Sequence, residues 1–445
     1  MIDKMNLLKK NDFWVKLVKN VMVVLTGNMG SSIINFMVTL ILIHTVGNTQ
    51  YGIIIIAQQY MNLLDGIINF QSWSGVIKYG SEAIVEKNND RLSAIFKTGI
   101  VIDVATAVLG TIVALIALPV ASNIMKWNQQ MSNLAFIFSL EIIFHIEGTS
   151  VGVLRLYDKF KYTSIQLISS ALLKLVVIGA YVLVGGNNIA IIVWLYVITD
   201  IVKHLLLVFM AFYVLKHELG IRKVMRLPLK YAEKDFVKFT LWSNIGSTVD
   251  IPVKYFDIFI ISLISTEIVA VYKTFKQIIQ ILSMLTNPIS MAIMPQFSEM
   301  VAQNRANEAL AKVRRLRNII CSVGIIPVIV TFIIGRPIFN WMLGPTYGDN
   351  ILLFLLMLIL NIYLMAHVGI HPLFNSMGYA KETFLITLTT NILYIIVAYL
   401  IVPILDIYGL IVANSIQGIL CIIAKMIITK NASNEESKFK NYLSK

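Results

Sequence analysis

Apolar runs of roughly 20 residues recur along the whole chain, separated by short polar connections. Each run is long enough to cross the hydrocarbon core of a bilayer as a helix. Hydrocarbon offers no water to backbone N–H and C=O groups, so only helices and closed barrels can span it. Barrels are built from short alternating segments, whereas these runs are continuous. With 57% hydrophobic residues in 445 and a mean hydropathy of +0.77, a water-soluble fold is excluded. The expected class is an all-α polytopic membrane protein.

Twelve spans are expected, near 22–44, 50–74, 94–118, 132–152, 164–184, 189–213, 237–263, 268–294, 317–335, 351–375, 383–403 and 407–429. The segments on the N-terminal side of the membrane then carry 29 Lys and Arg residues, and the opposite connections carry only Lys126 and Arg336. Basic residues accumulate on the cytoplasmic side, so both termini are expected in the cytoplasm. The net charge of +13 thus orients the chain and touches anionic headgroups, and it does not indicate nucleic-acid binding. Residues 1–20 are basic and polar, without the apolar core of a cleavable signal. They are expected to form an amphipathic lead-in, with Phe13, Trp14, Leu17 and Val18 against Lys16 and Lys19. Cys321 and Cys421 fall within apolar spans and read as small core residues.

The two halves repeat. Tyr51 precedes Gln59 as Tyr272 precedes Gln280, and Ser81-Glu82-Ala83-Ile84-Val85 corresponds to Ser298-Glu299-Met300-Val301-Ala302. A shift of six spans preserves membrane orientation, so the repeats are parallel, a design found in transporters with a site between two lobes. The expected organisation is a six-helix lobe over 1–213, a basic cytoplasmic linker over 214–236, a second six-helix lobe over 237–430, and a polar cytoplasmic tail over 431–445 without regular structure.

Charge inside the spans is costly unless it faces a polar interior, so such residues are functional candidates. Asp250, Lys254 and Asp257 are spaced i, i+4, i+7, on one face of a helix. Lys273, Lys276, Gln277 and Gln280 repeat that spacing in the next run. A largely cationic face suits an anionic cargo. An ion triad within one helix is the structural alternative for the first set, and snorkelling to an interface is the alternative for a lysine. Gln58, Asn62, Asp65 and Asn69 form a stripe on the second span, read as cavity lining. Asn28, Ser31, Ser32, Asn35 and Thr39 form a milder one, read as helix packing. Asp65, Asp250 and Asp257 are candidates for a coupling ion or a charge pair. Glu141 and His145 stand i, i+4 on the fourth span, with Glu147 and Arg155 beyond, and His367, His371 and Asn375 on the tenth. They read as polar wall, proton relay or packing hydrogen bonds, and no metal centre is expected. Pro252, Pro288, Pro327 and Pro372 interrupt spans of the second half, which makes that lobe bendable or statically kinked. The chain has no GxxxxGK[ST], GxSxG or HExxH motif, so no enzyme is expected and no cofactor is implied.

The pattern resembles the O-antigen-type polysaccharide flippases of the multidrug/oligosaccharidyl-lipid/polysaccharide exporter superfamily. The residues that carry the likeness are Gly47-x3-Tyr51-Gly52, Asp257, Glu267 to Tyr272, and Pro295-Gln296-x-Ser298-Glu299, within residues 15–300. The resemblance implies a flippase for undecaprenyl-diphosphate-linked oligosaccharide repeat units, working by alternating access in a bacterial inner membrane. It places the cavity cations of the family on Lys254, Lys273 and Lys276, which would neutralise the diphosphate. The first lobe departs from a symmetric lining: only Lys78 and Lys174 are noted there, both near span edges. Coupling to an H+ or Na+ gradient, and partnership with membrane lipids and with polysaccharide polymerase and chain-length machinery, are further implications. The alternatives are a cation-coupled multidrug exporter of the same architecture and, from another class, a membrane polysaccharide polymerase.

Overall fold

The structure is a computed structural model that describes residues 2–220, 224 and 234–443. Part of the expected linker (221–223 and 225–233) lies outside the described residues, as do the side-chain faces of the lead-in up to Val18. Among the described residues all regular structure is helical. The order is α1 (Ile2–Ile68), α2 (Trp73–Val85), α3 (Asn89–Ile124), α4 (Gln129–Ser139), a 3-10 turn (Ile142–Phe144), α5 (Gly148–Leu156), α6 (Phe160–Leu183) and α7 (Ile189–Glu218). There follow α8 (Lys234–Thr248), α9 (Ile251–Ser262), α10 (Thr266–Ser283), α11 (Asn287–Ala302), α12 (Ala306–Leu343) and the short α13 (Pro345–Asp349). The chain closes with α14 (Ile351–Ala366), α15 (Ile370–Ser376), α16 (Ala380–Leu405) and α17 (Ile407–Leu443).

Nine of the described helices are long and apolar enough to cross a membrane, or ten if α4 and α5, bent by 42°, form one span. The expected twelve is not reached by that measure. Helix α1 counts once although Gly47 divides it at φ 77°, ψ 167°. Helices α8 and α9, of 15 and 12 residues, are each shorter than a span because the expected seventh run breaks between Thr248 and Ile251. Outward-facing side chains are strongly apolar, with Ile116, Phe209, Phe332 and Trp341 between 68% and 84% exposed. Such a surface is unstable in water and natural in lipid. The protein is a multi-pass membrane protein.

The breaks repeat between the halves. Helices α2 and α11 both end at a positive-φ residue, Lys87 (56°) and Asn304 (54°), before the long α3 and α12. Helices α5 and α15 end likewise at Asp158 (59°) and Gly378 (88°). Left-handed backbone at a non-glycine residue is uncommon, so its recurrence at matching places supports the repeat read from the sequence.

Two compact units are present, residues 22–270 and residues 1–21 with 271–445. The first extends past the expected lobe boundary at 213, because α8 and α9 pack within it. Phe236 joins a core with Val76, Phe96, Val153, Leu154 and Leu207, and Phe259 stacks on Trp127 with ring centroids 6.5 Å apart. In the second unit Phe297, Met300, Leu310, Val313 and Leu373 form the corresponding core between α11, α12 and α15. The expected unstructured tail is also corrected: α17 continues to Leu443. Residues 431–443 lack glycine and proline, and only those residues strongly oppose continuation of a helix. Ser433 is fully buried, and its carbonyl accepts a hydrogen bond from Asn307 Nδ2 at 3.1 Å.

Candidate functional site

Between Ile68 and Trp73 the chain leaves the helix, and this break organises the interior of the first unit. Its backbone groups need partners, and side chains from α3 and α8 supply several of them. Asp103 of α3, 1% exposed, accepts from the Ser72 N–H (3.1 Å) and hydroxyl (3.0 Å) and from the Thr149 N–H (2.6 Å) and hydroxyl (2.7 Å). One carboxylate thereby ties the start of α2 to the start of α5. Asn244 of α8 accepts from the Gln71 N–H at 2.9 Å and donates to the Gln71 carbonyl at 3.1 Å. Asn69 donates to Asp65 Oδ1 (2.9 Å) and to the His145 carbonyl (2.8 Å), and its own oxygen accepts from Thr106 (3.1 Å).

Beside this break lies a cavity of about 250 Å³. Asp65, Gln71, Trp73, Asn244, Lys254 and Tyr255 are the lining groups that matter chemically. One lysine, one carboxylate, two amides and two aromatic rings are thus gathered in one place. A cation suits a phosphate oxygen, amides suit hydroxyls, and aromatic faces accept apolar or cationic groups. The Arg155 guanidinium already covers Trp73, 4.9 Å from the ring centre. The volume is below that of a drug-sized ligand site, roughly 300–1,000 Å³.

Behind the cavity lies a chain of buried charge. His145 Nδ1 is 2.9 Å from Asp65 Oδ2, and His145 Nε2 is 3.2 Å from Glu141 Oε1. His204 Nδ1 is 2.9 Å from Glu147 Oε2, and the two imidazole centres are 4.1 Å apart. Nearby, Lys174 Nζ lies 2.8 Å from both oxygens of Asp200 and 3.8 Å from the centre of the Tyr196 ring, with Lys203 3.6 Å from Asp200.

Of the residues expected from the sequence, Asp65, Asn69 and Lys254 border the cavity. Asn69 spends both amide hydrogens and its oxygen on holding the break, so it positions the site. Gln58 and Asn62 are partly buried on α1 and are not among the described lining. Asp250 precedes α9 and is exposed, its carbonyl accepting from the Lys254 N–H at 3.3 Å; Lys254 is exposed, and Asp257 is buried with its carboxylate on the Ile258 N–H at 2.8 Å. Lys273, Lys276 and Gln277 are partly buried and Gln280 is exposed, all on α10 within the second unit. Lys276 Nζ lies 5.8 Å from the centre of the Tyr272 ring. Lys174, expected near a span edge, is instead 6% exposed inside α6.

Asp103, Asp200, Lys203 and His204 were not singled out from the sequence. The signal was available, because each is an ionisable residue within an apolar run. The i, i+4 spacing of Glu141 and His145 predicts a continuous helix; the structure breaks that span over residues 140–147, with the 3-10 turn between them.

With its described residues all helical or in loops and charge buried inside, this multi-pass membrane protein can be compared with known folds. A multidrug resistance MATE family transporter of the MOP superfamily, in an inward-facing conformation, superposes with a TM-score of 0.66 at 13% identity over 95% of each chain. The lipid II flippase MurJ, in an inward closed conformation, superposes with a TM-score of 0.67 at 15% identity over 92% of this chain and 87% of MurJ. At such identities the likeness concerns the fold. By its sequence over residues 17–301, the chain belongs to the polysaccharide biosynthesis protein family. It is also 24% identical over 117 residues to the inner membrane protein YghQ of Escherichia coli (strain K12). That match covers 26% of this chain and about a third (33%) of YghQ.

Proposed function

We propose that the protein is a flippase that carries undecaprenyl-diphosphate-linked oligosaccharide repeat units from the inner to the outer leaflet of a bacterial inner membrane, by alternating access, for O-antigen or capsule synthesis. The observation that carries this reading is the cavity beside the α1–α2 break. There a lysine stands with amides and aromatic rings, in a chain of the polysaccharide biosynthesis family. Lys254 would meet a diphosphate oxygen, Gln71 would bind sugar hydroxyls, and Trp73 and Tyr255 would stack on a sugar ring. The lipid tail would stay in the bilayer. Lys273 and Lys276 with Gln277 and Gln280 on α10 are proposed to meet later positions of the substrate, and Gln58 and Asn62 to line its path. Asp65 is the preferred candidate for a coupling proton or sodium ion, ahead of Asp250 and Asp257, because it borders the cavity. The protein is proposed to be a transporter without catalytic residues, with membrane lipids and the polymerase and chain-length machinery as neighbours.

The deciding experiment is reconstitution into liposomes with a lipid-diphosphate sugar, scoring exchange between leaflets. Wild-type protein is expected to exchange it, and Lys254→Ala to slow it. No exchange by the wild type would overturn the reading, whereas normal exchange by the variant would reject only the role given to Lys254. The second reading, a multidrug exporter, draws on Asp65 as a carboxylate that could attract cationic drugs. Drug efflux without lipid exchange would select it.

A further inference from the structure

The buried histidines have an arrangement that polar packing does not explain. Both rings turn one nitrogen to a carboxylate at 2.9 Å, His145 Nδ1 to Asp65 and His204 Nδ1 to Glu147. Each then directs Nε2 towards the same third carboxylate, that of Glu141. The Nε2 of His145 is 3.2 Å from Glu141 Oε1, and the Nε2 of His204 is 3.7 Å from it, beyond hydrogen-bond reach. His204 Nε2 and Glu141 Oε2 are buried with no hydrogen-bond partner, on residues only 4% and 2% exposed. Unpartnered polar atoms at that depth are costly, and here they converge.

The geometry points to a divalent transition-metal site held by Glu141, His145 Nε2 and His204 Nε2, with Asp65 and Glu147 as the outer carboxylates that orient the rings. The one-atom-per-residue donor set lies within 4.8 Å of itself. Tetrahedral ligands at about 2.0–2.1 Å from zinc stand about 3.3 Å from one another, near the 3.2 and 3.7 Å that separate Glu141 Oε1 from the two imidazole nitrogens. An imidazole that donates one N–H to a carboxylate presents the lone pair of its other nitrogen to a metal, the usual outer-shell arrangement. Three carboxylates around two imidazoles leave an excess of negative charge that a divalent ion offsets. Asp200 is matched by Lys174 and Lys203, and Asp103 is satisfied by four donors, so neither competes. Two imidazoles in the set favour a zinc-like ion over sodium, calcium or magnesium, which prefer oxygen. A bound ion would clamp the broken fourth span to α7 and, through Asp65, to the wall of the cavity.

The site shares Asp65 with the flippase reading but does not rest on it, and its test measures ion binding alone. Tag-free full-length protein in nanodiscs is stripped with a chelator and titrated with Zn2+ by calorimetry and with Co2+ by absorption. One ion per chain is expected, with the cobalt spectrum of a tetrahedral nitrogen–oxygen site. Glu141→Gln and His204→Asn should abolish binding, Asp65→Asn should weaken it about 10–100-fold, and His367→Ala, in the second unit, should leave it unchanged. Failure of the wild type to take up either metal would overturn the proposal, as would undiminished binding by Glu141→Gln. A thiolate-to-cobalt band, pointing to Cys321 or Cys421, would overturn it as well. If a variant does not fold, the wild-type stoichiometry and spectrum decide.

Discussion

Single residues in this interior are held by charge rather than by volume. Lys174 and Asp200 lie 2.8 Å apart, with 7% and 9% of their side chains exposed. Removing Asp200 strands Lys174, at a cost of about 3–5 kcal/mol, whereas removing Lys174 leaves Asp200 with Lys203 at 3.6 Å. Asp200→Ala is expected to lower thermal stability in detergent by that order and Lys174→Ala by less, while Lys174→Met combined with Asp200→Leu recovers most of it. Equal loss in the double variant would show that the ions themselves are required. At the cavity wall, a charge-assisted contact is worth about 1.5–3 kcal/mol, or about 10–100-fold in affinity. Lys254→Ala is accordingly expected to weaken binding of a soluble undecaprenyl-diphosphate analogue by that factor, measured by tryptophan fluorescence, without lowering stability. Lys254, Asp65 and Asn69 were legible because ionisable or amide groups in apolar runs stand out by themselves. The partners of Asp65 were not, since His145 lies 80 positions away in the chain.

At the scale of elements, the breaks matter more than the helices. Gly47 sits at φ 77°, ψ 167°, a region open essentially to glycine alone. Five residues on, a side chain at Gly52 would collide with the backbone carbonyl of Thr266, which cannot move aside as a side-chain tip can. Both positions belong to the Gly47-x3-Tyr51-Gly52 motif that the sequence singled out. Gly47→Ala is expected to cost about 1–3 kcal/mol from backbone strain, and Gly52→Ala about 1–3 kcal/mol or more from overpacking. Thermal melts of the two variants check this, and an unchanged melt of Gly52→Ala would reject the close approach. Asp103→Ala removes the carboxylate from the Ser72 and Thr149 N–H groups, while their hydroxyls still meet each other at 2.8 Å, at about 1–3 kcal/mol for each buried group left unpaired. Faster amide exchange confined to residues 69–74 and 148–152 is the expected signature. Period and hydropathy foretold where helices run. They did not foretell that the second and fourth spans break, because the groups that satisfy those breaks, Asp103 and Asn244, come from other helices.

At the scale of the whole molecule, the charge asymmetry makes a topological prediction. In a chain with Cys321 and Cys421 replaced by serine, a cysteine introduced at Asn128 should react with an impermeant maleimide in intact cells. One introduced at Lys87 should react only after permeabilisation. Labelling of both from outside would reject the orientation. The sequence by itself determined that the chain is helical, crosses a bilayer many times and repeats in two halves. Each of these follows from local composition: unsatisfied backbone in lipid forces helices, and the basic residues fall in alternate connections, on one side of the membrane. The tertiary structure decided what composition cannot encode, namely which distant charges meet. It drew Asp65, Glu141, His145, Glu147 and His204 into one buried cluster and carried α8 and α9 into the first unit. Those outcomes depend on side-chain partners far apart in the chain, which are chosen by the need to neutralise or hydrogen-bond every polar group removed from water.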